Sequence, residues 1–149
     1  MTVETSRQRG FTFLEMMLSI ALISAIVGMS VPVYNSFLAR NDLAITAQQV
    51  AEALRHAQVY AKGMNGDSAW SVEIQSTTVT LFKGTNFAGR NTAYDEPISL
   101  AGRVTASGLS EVQFAKLSGA PSTTGNITLT TNASETKTVA INAEGMVSY

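Results

Sequence analysis

The sequence has no cysteine, which excludes disulfides, thiolate metal sites and cysteine nucleophiles. A domain outside the cytoplasm would therefore stand on packing alone. Charge is scarce as well: Asp, Glu, Lys and Arg make up 14% of the 149 residues, against about a quarter in an ordinary soluble domain. The net charge of -1 provides no basic surface on which nucleic acid would be held. Histidine occurs once, as His56 in a periodic, helical stretch, so a Ser-His-Asp triad has no candidate base facing a nucleophile. The adjacent acids Asp95 and Glu96 lack the repeating acids of a calcium loop and read as turn solvation before Pro97. The remaining carboxylates are scattered, with no pair marked for glycoside chemistry. No enzyme activity, metal or cofactor is expected.

What the chain has in quantity is apolar length. From Met16 to Val33 every residue is apolar or small, and about 17 to 25 such residues span a bilayer as a helix. A removable secretory core is shorter, about 7 to 15 residues, and ends at a small-residue cleavage site; this run instead flows straight into a second helical pattern. Arg7 and Arg9 precede it and place the N-terminus on the cytoplasmic side. One residue does not suit a plain anchor: Glu15, an acid at the start of the run, where a charge left unpaired in lipid is costly.

The stretch "RGFTFLEMMLSIALI", Arg9 to Ile23, resembles the leader and start of a type IV prepilin, the family of type IV pilins, minor pilins and type II secretion pseudopilins. The resemblance implies a basic leader, residues 1–10, cut after Gly10 by a prepilin peptidase that also methylates the new N-terminal Phe11. Glu15 falls where the family keeps its glutamate. "VPVY", Val31 to Tyr34, resembles the close of the family's hydrophobic half-helix, with Pro32 in the matching place. Cleavage would expose an amine at the same end of the helix as Glu15, so the acid of one subunit can neutralise the amine of its neighbour and fix the axial register. Gly28 and Pro32 both weaken the helix, through backbone entropy and a missing amide hydrogen; a tolerated kink and local melting on assembly are both open.

Beyond Pro32 the pattern becomes periodic. Leu43, Ala47, Val50, Leu54, Ala57 and Ala61 recur at spacings of three and four, while Arg40, Asp42, Gln48, Glu52, Arg55 and Lys62 mostly face elsewhere, as in an amphipathic helix. With neither Gly nor Pro between, one long helix is predicted from about Phe11 to Lys62, ended by Gly63, Asn65 and Gly66. From Trp70 the period falls to two. "WSVEIQ", "TVTLFK", "PISLAGRVTAS", "EVQFAKL", "NITLTT", "KTVAIN" and "MVSY" predict about seven short, mostly antiparallel strands in a sheet covered by the helix. "GTNFAGRNTAYDEP", Gly84 to Pro97, reads as a long polar loop with two aromatics. Asn126-Ile-Thr and Asn132-Ala-Ser match the glycosylation acceptor pattern and argue only that their loops are exposed.

The predicted fold is therefore α+β, a long N-terminal helix on a mostly antiparallel β-rich head, which is the type IV pilin plan. Its parts are a leader at 1–10, a membrane and polymerisation half-helix at 11–34, an amphipathic half-helix at 35–63 and a head at 64–149. "VAEALRHAQVYAKGMNGDSAWSVEI" loosely resembles the H-type pseudopilin and transformation minor pilin group. The implied function is a structural filament subunit, a minor pilin or pseudopilin, inserted once in the inner membrane with its head outside the cytoplasm. Implied partners are the prepilin peptidase/methyltransferase, other pilin or pseudopilin subunits, the inner-membrane assembly platform and membrane lipid. The alternative is an adhesive or DNA-capturing minor pilin. DNA binding is not carried over, because the arginine-bearing tail of such pilins has no counterpart at "MVSY", and Lys83, Arg90, Arg103, Lys116 and Lys137 would form a phosphate-tracking groove only if folding gathered them.

Overall fold

The computed structural model describes residues 10–149; for Ser30, Val31 and Pro32 it describes the helical backbone but not the side chains. Arg7, Arg9 and the rest of the expected leader before Gly10 lie outside the described residues, as does the side chain of Pro32. A single helix, α1, runs from Phe13 to Lys62. It starts two residues later than expected because Thr12 caps it: the Thr12 hydroxyl accepts the Glu15 amide hydrogen at 3.3 Å. Helix α1 closes where the Gly63 amide donates to the Val59 carbonyl at 2.8 Å. The left-handed step falls on Met64, at φ 52 and ψ 33, and not on Gly63, which still completes the last turn. A single 3-10 turn, Asn65–Asp67, follows, with Gly66 at φ 63.

The chain divides into two compact units, one ending at Ser36 and one from Phe37 to Tyr149. In the second, the predicted stripe Leu43, Ala47, Val50, Leu54, Ala57 and Ala61 is buried throughout. Its alanines bring the helix axis close to the strands, and Leu54 and Val50 supply the bulk.

Eight strands follow, one more than predicted: β1 (Trp70–Ile74), β2 (Thr78–Lys83), β3 (Asn91–Ser99), β4 (Val104–Gly108), β5 (Glu111–Phe114), β6 (Gly125–Thr131), β7 (Thr136–Ile141) and β8 (Val147–Ser148). They form two four-stranded antiparallel sheets, ordered β3-β2-β1-β5 and β4-β6-β7-β8, where a single sheet was expected. The extra strand comes from the stretch read as a polar loop: β3 occupies all of Asn91 to Pro97 and runs on to Ser99. It is an edge strand with most side chains exposed, so it carries no apolar alternation, and Pro97 is tolerated because an edge need not donate on its free side. The run "PISLAGRVTAS" likewise splits between the end of β3 and β4. Among the sequons, Asn126 is exposed but belongs to β6, and Asn132 is exposed in the turn after it.

Alternation places Trp70, Val72, Ile74, Val79, Leu81, Val112 and Phe114 of the first sheet in one apolar cluster with Val104, Ile127, Leu129, Val139 and Ile141 of the second and the helix stripe. Gln58 holds the far loops to the helix: its amide donates to the carbonyls of Gly119 and Glu144, each at 3.1 Å. Arg55 similarly donates to the Val147 carbonyl at 3.1 Å. One helix residue breaks the pattern. Thr46 is fully buried and its hydroxyl has no hydrogen-bond partner, and an unsatisfied buried polar group costs about 1 to 3 kcal/mol. Thr46→Val is therefore expected to stabilise the protein by about 1 kcal/mol, read as a higher denaturant midpoint; a lower midpoint would show the hydroxyl to be satisfied.

Candidate functional site

The chemistry of this chain concentrates at its N-terminal end. Thr12-Phe13-Leu14-Glu15 has the Thr-x-x-Glu form of a capping box, with Thr12 at N-cap and Glu15 at N3. The capping bond orients the first turn, and Glu15 sits where an acid is favoured by the positive end of the helix dipole. Sequence reasoning passed over Thr12, although the Thr-x-x-Glu spacing was its signal. Downstream, the hydroxyls of Ser19 and Ser24 donate to the carbonyls of Glu15 and Ile20, both at 2.8 Å. These two hydroxyls are thereby satisfied within the helix, as a segment surrounded by hydrocarbon requires.

None of the large apolar side chains from Phe11 to Met29 is covered; the least exposed, Met16, is still 56% open. Soluble monomers do not leave such a continuous apolar surface. By length and composition α1 can cross a membrane, and this part of it is wholly unburied. Gly10 is exposed just before the cap. Gly28 is exposed, and a Cβ there would meet nothing within 4 Å, so nothing in the single chain demands glycine at that position. Pro32 lies within the unbroken helix. Among the described residues Glu15 has no ion-pair partner.

The family model described as "Prokaryotic N-terminal methylation motif" matches residues 5–31. The chain carries a prepilin-type methylation motif. This motif spans the capped helix start, Gly10, Phe11 and Glu15, and the exposed apolar run. No curated protein and no solved structure matches the chain. The motif implies processing by a prepilin peptidase, and with the helix and antiparallel sheets it makes the fold pilin-like.

The head gathers some of the charged residues that looked scattered. Lys116 pairs with Asp67, holding the Asp67 carboxyl below its usual range, first through that hydrogen bond and the Lys116 charge, with Lys83 adding to it. The sign follows: this interaction supports the fold above the ordinary carboxylate range and fades as pH falls through it. Lys83 also lies over the Tyr94 ring, 4.7 Å from its centre. Arg90 is tied to Asp95 at 2.8 Å and Arg40 to Glu135 at 3.1 Å. Of the cations that a groove would need, Lys83, Arg90 and Lys116 are thus engaged within the fold. Asp95 is correspondingly not turn solvation: it lies in β3, partly buried, as the partner of Arg90. His56 is exposed on α1, and no cluster of metal-binding side chains occurs among the described residues.

Proposed function

We propose that this protein is the precursor of a structural subunit of a type IV pilus-like filament, a minor pilin or pseudopilin. It is inserted once in the inner membrane with its head outside the cytoplasm, cleaved after Gly10, methylated on Phe11 and assembled through its N-terminal helix. The carrying observation is the methylation motif at residues 5–31, heading a helix whose first part is exposed on every side while its last part is packed in the head. That apolar surface has two successive covers, lipid before assembly and neighbouring helices after it. Glu15 is the residue that receives the new amine of a neighbour, and Gly28 and Pro32 are the positions where the helix can yield on assembly. The prepilin peptidase/methyltransferase and the assembly platform are the membrane partners of this scheme.

Terminal sequencing and intact mass of the membrane-extracted protein test the reading. The expected product starts at N-methylated Phe11. A mature chain starting anywhere else, or an uncut chain in cells with an active prepilin peptidase, would overturn it.

A further inference from the structure

The second sheet closes on a very short strand. β8 is only Val147–Ser148 and lies against Ala140 and Ile141, so the rest of β7, from Thr136 to Val139, has β6 on one side and no strand on the other. The two turns that bound β7 fix which backbone groups this leaves open. At its start the Thr131 amide donates to the Glu135 carbonyl at 2.9 Å, and at its end the Asn142 amide donates to the Met146 carbonyl at 3.2 Å. Antiparallel bonds alternate along a strand. Glu135, Lys137, Val139 and Ile141 therefore turn their amides and carbonyls to β6, while Thr136, Thr138, Ala140 and Asn142 turn theirs outward. Ala140 meets Ser148. Thr136 and Thr138 have nothing opposite them among the described residues, and both are exposed.

Two ties to α1 frame the gap. Arg40 bonds Glu135, just before β7, at 3.1 Å, and Arg55 donates to the Val147 carbonyl of β8 at 3.1 Å. Arg40, Ala44, Ala51 and Arg55 lie on one flank of the helix; Ala51 is fully buried, whereas Ala44 is exposed. The helix flank is thus uncovered over part of the same length, and the gap along β7 is about four residues, or about 13 Å, long.

We propose that this gap receives the edge of β3 from a second copy of this chain, so that the first sheet of one head continues the second sheet of the next. Alternating outward N–H and C=O groups fit an extended backbone, and β3 is the other open edge of the head. The edge of β5 is taken by the Ser122 amide, which donates to the Gln113 carbonyl at 2.8 Å, and that of β4 by the Ser76 carbonyl, which accepts the Ala106 amide at 2.9 Å. In β3, Thr92 to Asp95 stand against the single residue Phe82, between Asn91 opposite Lys83 and Glu96 opposite Leu81, and Thr92, Ala93 and Tyr94 are exposed. The Leu100 amide donates to the Thr77 carbonyl at 3.0 Å. By the same alternation Pro97 falls at an outward position, where it has no N–H to give, and it confines pairing to the residues before it, a short stretch for a short gap.

Charge selects the same occupant. β3 carries Asp95 and Glu96 and no cation, and Glu96 is exposed with no ion-pair partner among the described residues. The gap presents Lys137, whose ammonium lies 5.4 Å from the centre of the Tyr149 ring and has no carboxylate partner among the described residues. Two β7 edges meeting each other would set Lys137 against Lys137, which is unfavourable. Because the contact joins two different surfaces, it propagates from copy to copy without closing. It goes beyond the filament reading and does not depend on where the precursor is cut.

Hydrogen exchange of the purified full-length protein in detergent, read at single amides over a range of concentrations, tests this. In the dilute protein Lys137 and Val139 should be protected while Thr136 and Thr138 exchange freely. In the concentrated protein Thr136 and Thr138 should slow by about tenfold once about nine heads in ten are paired, because exchange then passes through the free fraction. Thr138→Pro removes an N–H that β6 does not use, so it should abolish the slowing at Thr136 and keep the Trp70 unfolding midpoint near the wild type. Lys137→Pro, which breaks the pairing with Leu129, should instead lower the midpoint. Lys137→Glu and Glu96→Lys should each lose the slowing alone and recover it when mixed, which keeps the test open if the proline variant does not fold. Free exchange of Thr138 at every concentration would overturn the proposal. So would protection already present in the dilute protein, or slowing that needs another membrane protein to be added. Any of these results beside a mature chain starting at Phe11 would leave the filament reading standing.

Discussion

Cells carrying Glu15→Ala should process and insert the protein normally and yet incorporate about a hundredth or less of it into filaments. Removing one partner of a buried ion pair costs about 3 to 5 kcal/mol, and each 1.4 kcal/mol is a factor of ten. On the proposed pairing the loss is so large because the other partner, the Phe11 amine that cleavage would make, stays behind in an apolar surrounding without a counter-charge. Glu15 also contributes to its own helix, and that share must be separated. A first-turn acid is worth about 0.3 to 1 kcal/mol, and the Thr12 cap, whose hydroxyl holds the Glu15 amide, about 1 kcal/mol. Thr12→Ala therefore loosens the same turn and leaves the charge in place. Quantitative blotting of sheared filaments against membranes reads both variants. Near-normal incorporation of Thr12→Ala with near-absence of Glu15→Ala is the expected pair of results; filaments of Glu15→Ala at the wild-type level would remove the pairing role.

Gly108→Ala is expected to destabilise the head by about 3 kcal/mol or more, a large share of the 5 to 15 kcal/mol that holds a typical domain together. Gly108 closes β4 at φ 101, opposite Ile127 of β6. A Cβ there is both conformationally strained and driven into the Asn126 carbonyl oxygen. That oxygen belongs to the backbone of the paired strand, which also accepts the Leu109 amide at 3.3 Å, so nothing can swing aside without parting β4 from β6. Gly145, at φ 78, makes an instructive contrast: a Cβ there overlaps the side-chain amide of Gln58, which can rotate away at the expense of its two hydrogen bonds, for a loss of about 1 to 2 kcal/mol. At Gly102 a Cβ meets nothing within 4 Å, and Gly102→Ala should be near neutral. Trp70 is the single tryptophan and is buried against Tyr60, so its fluorescence in denaturant titrations orders the three variants. Equal midpoints for Gly108→Ala and Gly102→Ala would show the β4 to β5 passage to be more yielding than described.

The sequence made the helix legible wherever one face alone is buried. Every stripe residue from Leu43 to Ala61 went inside because a period near 3.6 leaves no other choice of face. The strands β1, β2, β5, β6 and β7 were readable for the same reason, with period two. Legibility failed where a segment has no simple inside and outside. Edge strand β3 is exposed along most of its length, so its polar residues looked like a loop. Thr80 and Phe82 of β2 are buried on the face that ought to have met solvent, and for Phe82 the cover includes the Phe87 ring, from the segment that follows β2. The pairing of Glu73 with Glu111 depends on β5 returning to the first sheet after β4 has joined the second, a matter of topology that no local pattern records. At the N-terminus the situation is reversed: Gly10, Phe11 and Glu15 form a short local motif and were visible at once, whereas their proposed partners belong to other molecules.

The bonds made by Gln58 and Arg55 also have a consequence in time. These residues lie in the part of the chain synthesised early, and their acceptors, Gly119, Glu144 and Val147, are made 61, 86 and 92 residues later. The helix can wind within microseconds, but its apolar stripe is not fully covered until the strands of the second sheet, which end the chain, have been made. Such late, distant closure folds slowly and leaves sticky surface open in the interval. The head is thus most vulnerable to aggregation and proteolysis during its birth, and a chain cut short before β8 would lose the Arg55 bond to Val147 while keeping both bonds made by Gln58.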